Sequence, residues 1–282
     1  MKTSQSCKIL ALSLFLSMTC TENPFFSDQI KGADGYVLTG SVELSDHASP
    51  DSVFVWLEEV NVGDFTDSDG NFSITIPHPQ AQPGGGVSGE LRLYYYVGNY
   101  QLSHSTVLLL RGAVKYNKAD VDQQGRVKHK RLQKLMGIQT FLEPASYHAD
   151  ESVIIRMEFL VEIYNDPVFI RTYKWQRDKN YISNLFFRNV NDPADSAFHY
   201  QATIFLRKEW LSKTERNWYF EQWSDSLMLA PGIYEVVPYL EILQAGVPDE
   251  LIRAAGGDPE FINNKWLNLP YKRSVNFIEV LE

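Results

Sequence analysis

Acidic and amide side chains alternate in one short stretch of the 282-residue chain, TDSDGNFSITIP, from Thr66 to Pro77. A calcium loop of the EF-hand type needs such alternating oxygen ligands, with a glycine at its sixth position and a glutamate at its twelfth. Counted from Asp67, the glycine is fourth and the twelfth residue is His78. Asp and Asn bond their own backbone, and glycine allows a positive φ. The stretch therefore predicts the turn of a β-hairpin, with a cation site as the alternative.

A second pattern, formed by Gly84, Gly86 and Gly89, has the G-x-G-x-x-G spacing of dinucleotide-binding proteins. That site needs its glycines between a strand and a helix, so that the helix N-terminus meets the pyrophosphate. Here a proline-rich loop precedes the glycines and the strand-like ELRLYYYV follows them. The pattern therefore predicts a loop without a bound nucleotide.

Common catalytic and metal-binding motifs do not occur in the sequence. It contains no H-E-x-x-H, G-x-x-x-x-G-K-[ST], G-x-S-x-G or C-x-x-C, and none of its six histidines lie three or four residues apart. We therefore predict no catalytic residue, no metal ligand and no cofactor. Carboxylates are abundant, so a hydrolase with a dispersed site between two domains stays an open alternative.

One cluster of aromatic side chains lies in EWLSKTERNWYFEQW, residues 209–223. Exposed aromatic rings stack on sugar rings or anchor a protein partner. The alternative is that these rings fill the core of a sandwich, because strands favour aromatic residues. The candidate ligand-facing residues are Trp210, Trp218, Tyr219 and Trp223.

The N-terminus, MKTSQSCKILALSLFLSMTC, combines two lysines with an apolar run from Ile9 to Met18. This run is too short to span a bilayer as a helix, so residues 1–19 are predicted to be a signal peptide. Cys20 resembles the lipidated first residue of a mature bacterial lipoprotein. Ser17 and Thr19 differ from the Leu and the Gly, Ala or Ser usual in that signal, and ordinary cleavage after Thr19 is the alternative.

Residues 20–34 are rich in polar residues and have no sustained period, which predicts a tether between the membrane and the first domain. The formal net charge of −9 gives no basic surplus, so no nucleic-acid partner is predicted. Cys7 and Cys20 are the two cysteines, so disulfides cannot support the mature fold. We predict a membrane-anchored lipoprotein of the bacterial cell envelope, at the outer membrane or facing the periplasm; a periplasmic or secreted protein is the alternative.

Strand-like alternation begins at Tyr36, since Tyr36, Leu38, Val42 and Leu44 fall on one face and polar residues fall on the other. Residues 53–57 are apolar at every position, which predicts a strand buried on both faces. The segment NVGD, residues 61–64, is interpreted as a turn. Phe72, Ile74 and Ile76 alternate again. Short strands at this spacing favour a β-sandwich.

The same segment, GSVELSDHASPDSVFVWLEEVNVGDFTDSDGNFSITIP, resembles the carboxypeptidase regulatory-like domain. The resemblance extends from residue 35 to about residue 110 and implies a transthyretin-like β-sandwich, predicted at residues 35–112, that acts as an accessory domain without catalytic residues. The chain departs from that family after Pro77, where it inserts HPQAQPGGGVSG. The matching positions are Gly40, Val42, Pro50, Val53, Val55, Leu57, Thr66, Asp67, Asp69, Gly70, Phe72, Ile74 and Pro77.

Residues 113–149 are predicted to be a connector that could contribute strands, and residues 150–282 a second, Ig-like β-sandwich. Its strongest strand has one apolar face, opposite Arg156, Glu158 and Glu162. A closing strand is predicted near 232–242. Residues 249–263 are predicted to form a short helical insert. The apolar face of the strongest strand consists of Val153, Ile155, Met157, Phe159, Val161 and Ile163.

Together these patterns predict an all-β protein that is exported, lipid-anchored and non-catalytic. Its expected role is to bind a glycan or a protein partner of the envelope, or to serve as a structural part of an envelope assembly. Two alternatives stay open: a hydrolase with a site between the domains, and a β module that resembles protease inhibitors or chaperones.

Overall fold

The structure is a computed structural model that describes residues 36–282, except 165–166, 176–177, 192–197, 202–205 and 213–215. The predicted signal peptide, Cys20 and the predicted tether lie outside the described residues. Twenty strands in four sheets make up most of the described chain. The prediction of an all-β sandwich fold is therefore confirmed. Within the described residues, no helix is both long and apolar enough to cross a membrane.

Two sheets from the N-terminal part face each other, with the orders β4-β1-β8 and β3-β2-β5-β6-β7. Alternating apolar side chains of both sheets fill the space between them. The strands are β1 (Val37–Leu44), β2 (Phe54–Leu57), β3 (Val62–Phe65), β4 (Asn71–Thr75), β5 (Gly89–Tyr96), β6 (Ser103–Leu110), β7 (Ala113–Val114) and β8 (Lys130–Leu132).

The acidic stretch forms a turn between β3 and β4. The amide of Gly70 donates to the Asp67 carbonyl at 2.9 Å, and Asp67 Oδ1 accepts the amides of Asp69 and Asn71 at 3.0 and 2.8 Å. The bond from the Asn71 amide is the main reason that the pKa of Asp67 lies below its usual value. The turn is confirmed, but the hairpin is wrong. β3 pairs with β2 and β4 pairs with β1, so the turn carries the chain between two sheets.

Gly70 is the residue that this change of sheet requires. Its φ is +80°, and a Cβ at this position would lie 2.2 Å from the carbonyl oxygen of Val42. The Val42 amide donates to the Gly70 carbonyl at 2.9 Å, so the two backbones must approach closely. The interpretation of NVGD as a turn is wrong, because Val62–Phe65 is the strand β3.

The C-terminal part contains the other two sheets. One has the order β16-β12-β13-β17-β11-β9, with β19 also paired to β12, and the other has the order β10-β20-β18-β14-β15. The elements are β9 (Met136–Glu143), β10 (Ser146–His148), β11 (Ile154–Ile163), β12 (Val168–Trp175), β13 (Asp178–Ile182), β14 (Asn184–Asn189), β15 (Phe198–Gln201), β16 (Leu206–Leu211), β17 (Arg216–Trp223), α1 (Ser224–Leu227), β18 (Gly232–Pro238), β19 (Glu241–Ile242), α2 (Asp249–Ala254) and β20 (Phe277–Leu281).

The predicted apolar face of β11 is confirmed, since its residues from Ile155 to Ile163 are buried at every second position. The predicted closing strand is divided in two. β18 ends at Pro238, which cannot donate a ladder hydrogen bond, and Glu241–Ile242 then pairs with β12 in the other sheet. The predicted helical insert contains α2.

A third apolar cluster, the junction cluster, joins the N-terminal and C-terminal parts. Phe54 and Trp56 of β2 point into it, whereas Val55 and Leu57 point into the N-terminal core. This confirms and explains the prediction that β2 is buried on both faces. The junction cluster consists of Phe54, Trp56, Tyr94, Tyr96, Phe186, Val237, Tyr239, Leu251, Ala255, Trp266, Leu267 and Leu269.

Polar contacts reinforce the junction. Asn99 lies in the loop that joins β5 and β6. Its side chain is fully buried and bonds to backbone atoms of Met136 and Lys272. The side chain of Gln244 bonds to the backbone of residues 98, 100 and 102. Residues 36–282 accordingly form one compact unit. The division into two domains at residues 113–149 stays a prediction.

Candidate binding surface

The outer face of β9, β11 and β17 is rich in exposed aromatic rings. β11 lies between the other two strands, and antiparallel register places residues directly opposite one another on the same face. Ile154 lies opposite Trp223, and Glu158 lies opposite both Phe141 and Tyr219. We call this surface the outer aromatic face; it comprises Phe141, Ile154, Arg156, Glu158, Tyr219, Glu221 and Trp223.

The dimensions of the outer aromatic face follow from strand geometry. Phe141 and Tyr219 are two strand spacings apart, roughly 9.5 Å. Tyr219 and Trp223 are four residues apart on one strand, roughly 13 Å. Phe141 is 58% exposed and Trp223 50% exposed. The rings therefore border an area about as long and wide as a short oligosaccharide, and each ring is accessible from solvent.

Tyr219 is held in place by neighbours on β13. Its hydroxyl donates to Asp178 Oδ2 at 2.5 Å, and its ring meets that of Tyr181 edge-on, with centroids 5.4 Å apart. Trp175 continues the row, 5.9 Å from Tyr181. The bond to Asp178 raises the pKa of Tyr219 and lowers that of Asp178. The phenol stays protonated and the carboxylate ionised, so the ring is fixed before any ligand arrives.

Charged side chains alternate with the rings. Arg156 lies opposite Glu143 on β9 and Glu221 on β17. Its Nη2 is 3.5 Å from Oε1 of Glu158, and both side chains are more than half exposed. Such a surface ion pair contributes little to stability, so both groups can turn toward a ligand. The carboxylates outnumber Arg156, which gives the face a negative charge.

A shallow depression of about 610 Å³ lies at one end of this face. Arg156, Glu143 and Glu221 supply its polar atoms, and Ile154 supplies apolar surface. Trp223 is the cross-strand neighbour of Ile154. The depression therefore combines hydrogen-bonding groups with an adjacent exposed ring.

The four predicted ligand-facing residues lie in three different places. Tyr219 and Trp223 lie on the outer aromatic face. Trp218 points the opposite way into the core, where the ammonium of Lys174 lies 3.8 Å from its ring centroid. Trp210 is exposed on β16, packed on Phe169 with centroids 4.9 Å apart.

Sequence reasoning missed several residues of this surface. Phe141 is an isolated aromatic residue in a strand that the sequence does not join to β17, and the same holds for the strand of Trp175, which lies beside the face next to Tyr181. One signal was available for Ile154, since it falls on the charged side of the most strongly alternating strand. An apolar residue in a row of charges indicates an exposed patch.

The junction bears on the hydrolase alternative. Asp46 there is bonded to Lys134 Nζ at 2.8 Å and to the Tyr100 hydroxyl at 2.8 Å. Burial alone would raise the pKa of Asp46, but these two bonds, the bond from the Ala48 amide and the charge of Lys134 together hold the pKa below its usual value. A general acid needs a raised pKa, so Asp46 does not suit that role. Among the described side chains, no group of three His, Cys, Asp or Glu residues could hold a metal ion.

Comparisons with known proteins add little to this geometry. No family model matches the chain, and no curated protein is significantly similar to it. Among solved structures, the Bacillus anthracis TIE protein has 8% sequence identity and a TM-score of 0.23, over 86% of this chain and 50% of that structure. The chain thus spans about half the length of that structure, and a likeness at this level supports no conclusion. The carboxypeptidase regulatory-like resemblance stays a prediction.

Proposed function

We propose that this protein is an exported, lipid-anchored binding protein of the cell envelope that holds a neutral glycan on its outer aromatic face. The supporting observation is that Tyr219 and Trp223 share one sheet face with Arg156, Glu158 and Glu221. Rings provide apolar surface for the faces of sugar rings, and the charged groups provide hydrogen bonds to hydroxyls. A protein partner typically needs a fully buried apolar centre, whereas here charges interrupt the rings.

The charge of the face suggests which glycans it selects. Three glutamates surround Arg156, so an anionic polysaccharide would place like charges together without compensation. Neutral chains carry no such penalty. We therefore expect mannan, dextran or soluble starch to bind in preference to polygalacturonate.

Replacing Trp223 by alanine is expected to weaken glycan binding about tenfold, which corresponds to about 1.4 kcal/mol. The ring is half exposed and does not fill the core, so the fold should be unchanged. Titration of the intrinsic tryptophan fluorescence with each polysaccharide measures the affinity.

The matched control is Trp210→Ala, which removes an exposed tryptophan from β16. It should leave the affinity unchanged. Equal losses in both variants would contradict a site on the outer aromatic face. No response of the wild-type protein to any polysaccharide would remove the glycan proposal and leave a protein partner, sought by pull-down from the native envelope with mass spectrometry.

The anchor is proposed at Cys20, with residues 20–34 as the tether. Cys20→Ser is expected to abolish incorporation of a radiolabelled fatty acid, because serine offers no thiol for lipid attachment, and Cys7→Ser should retain the label. Mass analysis of the mature N-terminus gives an independent answer. An unmodified Cys20 at the mature N-terminus, or cleavage elsewhere, would contradict the proposed anchor.

A further inference from the structure

A second cavity, of about 190 Å³, lies at the junction between β19, α2 and the segment that follows α2. Apolar side chains that include Ile252 and Leu269 line it, together with the rings of Tyr96 and Trp266. An apolar cavity of about 150 Å³ accepts benzene. This one can therefore accept a six-membered ring with substituents.

An ion pair lies at the wall of this junction cavity. Arg171 and Glu241 are directly opposite each other on β12 and β19. Arg171 Nε donates to Glu241 Oε2 at 2.5 Å, and the Tyr239 hydroxyl donates to the same oxygen at 2.6 Å. The two charged side chains are 17% and 20% exposed. Burial lowers the pKa of Arg171, but the bond and the charge of Glu241 outweigh it and leave the pKa raised, so the guanidinium stays charged.

Some polar atoms of Arg171 and Glu241 are not used by the bond between them and can bond to a ligand. Glu241 Oε2 accepts both bonds, and no described residue donates to Glu241 Oε1. Among the residues that the structure describes, the Tyr239 hydroxyl is the one further partner of the Arg171 guanidinium. The pair thus presents donors and an acceptor side by side. Adjacent hydroxyl groups on a ring match this arrangement, since one hydroxyl accepts from the guanidinium and its neighbour donates to the carboxylate.

The remaining charges restrict the ligand further. Asp249 lies exposed at the rim, and Asp258 is also part of the lining. Asp258 accepts the amides of Phe261 and Glu260, and these two bonds, chiefly the one from Phe261, lower its pKa. Two carboxylates beside an already neutralised pair give the cavity a negative charge. An anionic ring is therefore disfavoured.

We propose that the junction cavity binds one neutral monosaccharide ring, recognised through adjacent hydroxyls by Arg171 and Glu241. This site is separate from the outer aromatic face and does not depend on the glycan proposed there. α2 and the segment after it form one wall, which gives the helical insert a role in binding.

The test is a titration of the purified full-length protein with glucose, galactose, mannose and N-acetylglucosamine, followed by NMR of the tryptophan indole groups. Trp266 lines the cavity, so its indole resonance should shift and saturate with at least one of these sugars. Glucuronate should bind at least about tenfold more weakly. 1,2-Cyclohexanediol should shift the same resonance, and cyclohexanol should not.

Glu241→Gln keeps the side-chain shape and removes the charge, and is expected to weaken binding about tenfold. Trp223→Ala on the outer aromatic face should leave the Trp266 response unchanged. If Glu241→Gln does not fold, Phe261→Ala replaces it as the test of binding in the junction cavity. Phe261 is a 66% exposed lining residue outside the core, and losing its ring should weaken binding about threefold.

Three results would overturn the proposal. One is a Trp266 resonance that none of the neutral sugars shifts at concentrations on the order of 100 mM. Another is equal affinity in the wild type and in Glu241→Gln, or in Phe261→Ala where that variant is used. The third is an equal response to cyclohexanol and to the diol, which would leave an apolar cavity without hydroxyl recognition.

Discussion

Replacing Asn99 by alanine is expected to lower the free energy of unfolding by about 3–4 kcal/mol. The Asn99 side chain donates to the carbonyls of Met136 and Lys272 at 3.0 and 2.7 Å and accepts the Lys272 amide at 2.9 Å. Alanine would leave these three backbone groups without that partner in a buried site, and each such group costs about 1–3 kcal/mol, less where water enters. Urea unfolding followed by circular dichroism measures the change.

Asn264→Ala is the matched control for this prediction. Asn264 is exposed, and none of the hydrogen bonds of the described residues uses its side chain. Its replacement should change the free energy of unfolding by less than about 0.5 kcal/mol. If Asn99→Ala costs no more than the control, Asn99 does not connect the two parts of the protein as described.

Trp266→Ala is expected to destabilise the fold by about 3–5 kcal/mol, the usual cost of removing a buried tryptophan. The ring stacks on Phe186 with centroids 5.8 Å apart and meets Tyr239 edge-on at 5.1 Å. The Arg273 guanidinium also lies 5.4 Å from its centroid. Thermal and urea unfolding of the purified variant measure the loss.

Trp266→Phe separates the contribution of the ring from that of its nitrogen. Trp266 Nε1 is buried and makes no well-formed hydrogen bond within the described residues, although the Tyr271 hydroxyl interacts with it. Phenylalanine keeps an aromatic ring and removes this poorly satisfied donor, so the expected cost is within about 1.5 kcal/mol. A loss as large as that of alanine would mean that the nitrogen is bonded or that phenylalanine leaves a costly void.

The pattern of apolar and polar residues along the chain predicted much of the fold. Residues that are close in sequence determine the apolar face of β11, the burial of β2 on both faces and the turn at Asp67. Their spacing fixes the side of the strand on which each side chain lies. The sequence could not show that the turn at Gly70 joins two sheets. That depends on strand pairing with β1 and β2, which is set by distant residues.

The contacts at the junction could not be predicted from the sequence, for the same reason. Asn99 and Lys272 are 173 positions apart, and no local pattern relates them. The apolar side chains of Phe54 and Trp56 indicated that something covers the outer side of β2, but not that residues of the C-terminal part do so. The sequence also did not predict β19 as a separate strand. The chain passes to the other sheet after Pro238, but the apolar pattern continues without a break.

The candidate site was predictable only in part. Alternation along β17 places Trp218 opposite to Tyr219 and Trp223, so the three could be divided between core and surface once one of them was known to be buried. The pairing of β17 with β11 and β9 was not visible. That pairing is what brings Phe141 and the charged side chains beside Tyr219.

Binding of a neutral glycan to the outer aromatic face is tested most sharply by NMR of the indole groups of the six tryptophans. Oligosaccharides of the polysaccharide that gives the largest fluorescence response would be added to isotope-labelled protein. We predict that the Trp223 resonance shifts and saturates, while buried Trp218 and exposed Trp210 do not respond. A shift at Trp210 without one at Trp223, or no shift at Trp223 with any neutral oligosaccharide, would contradict it.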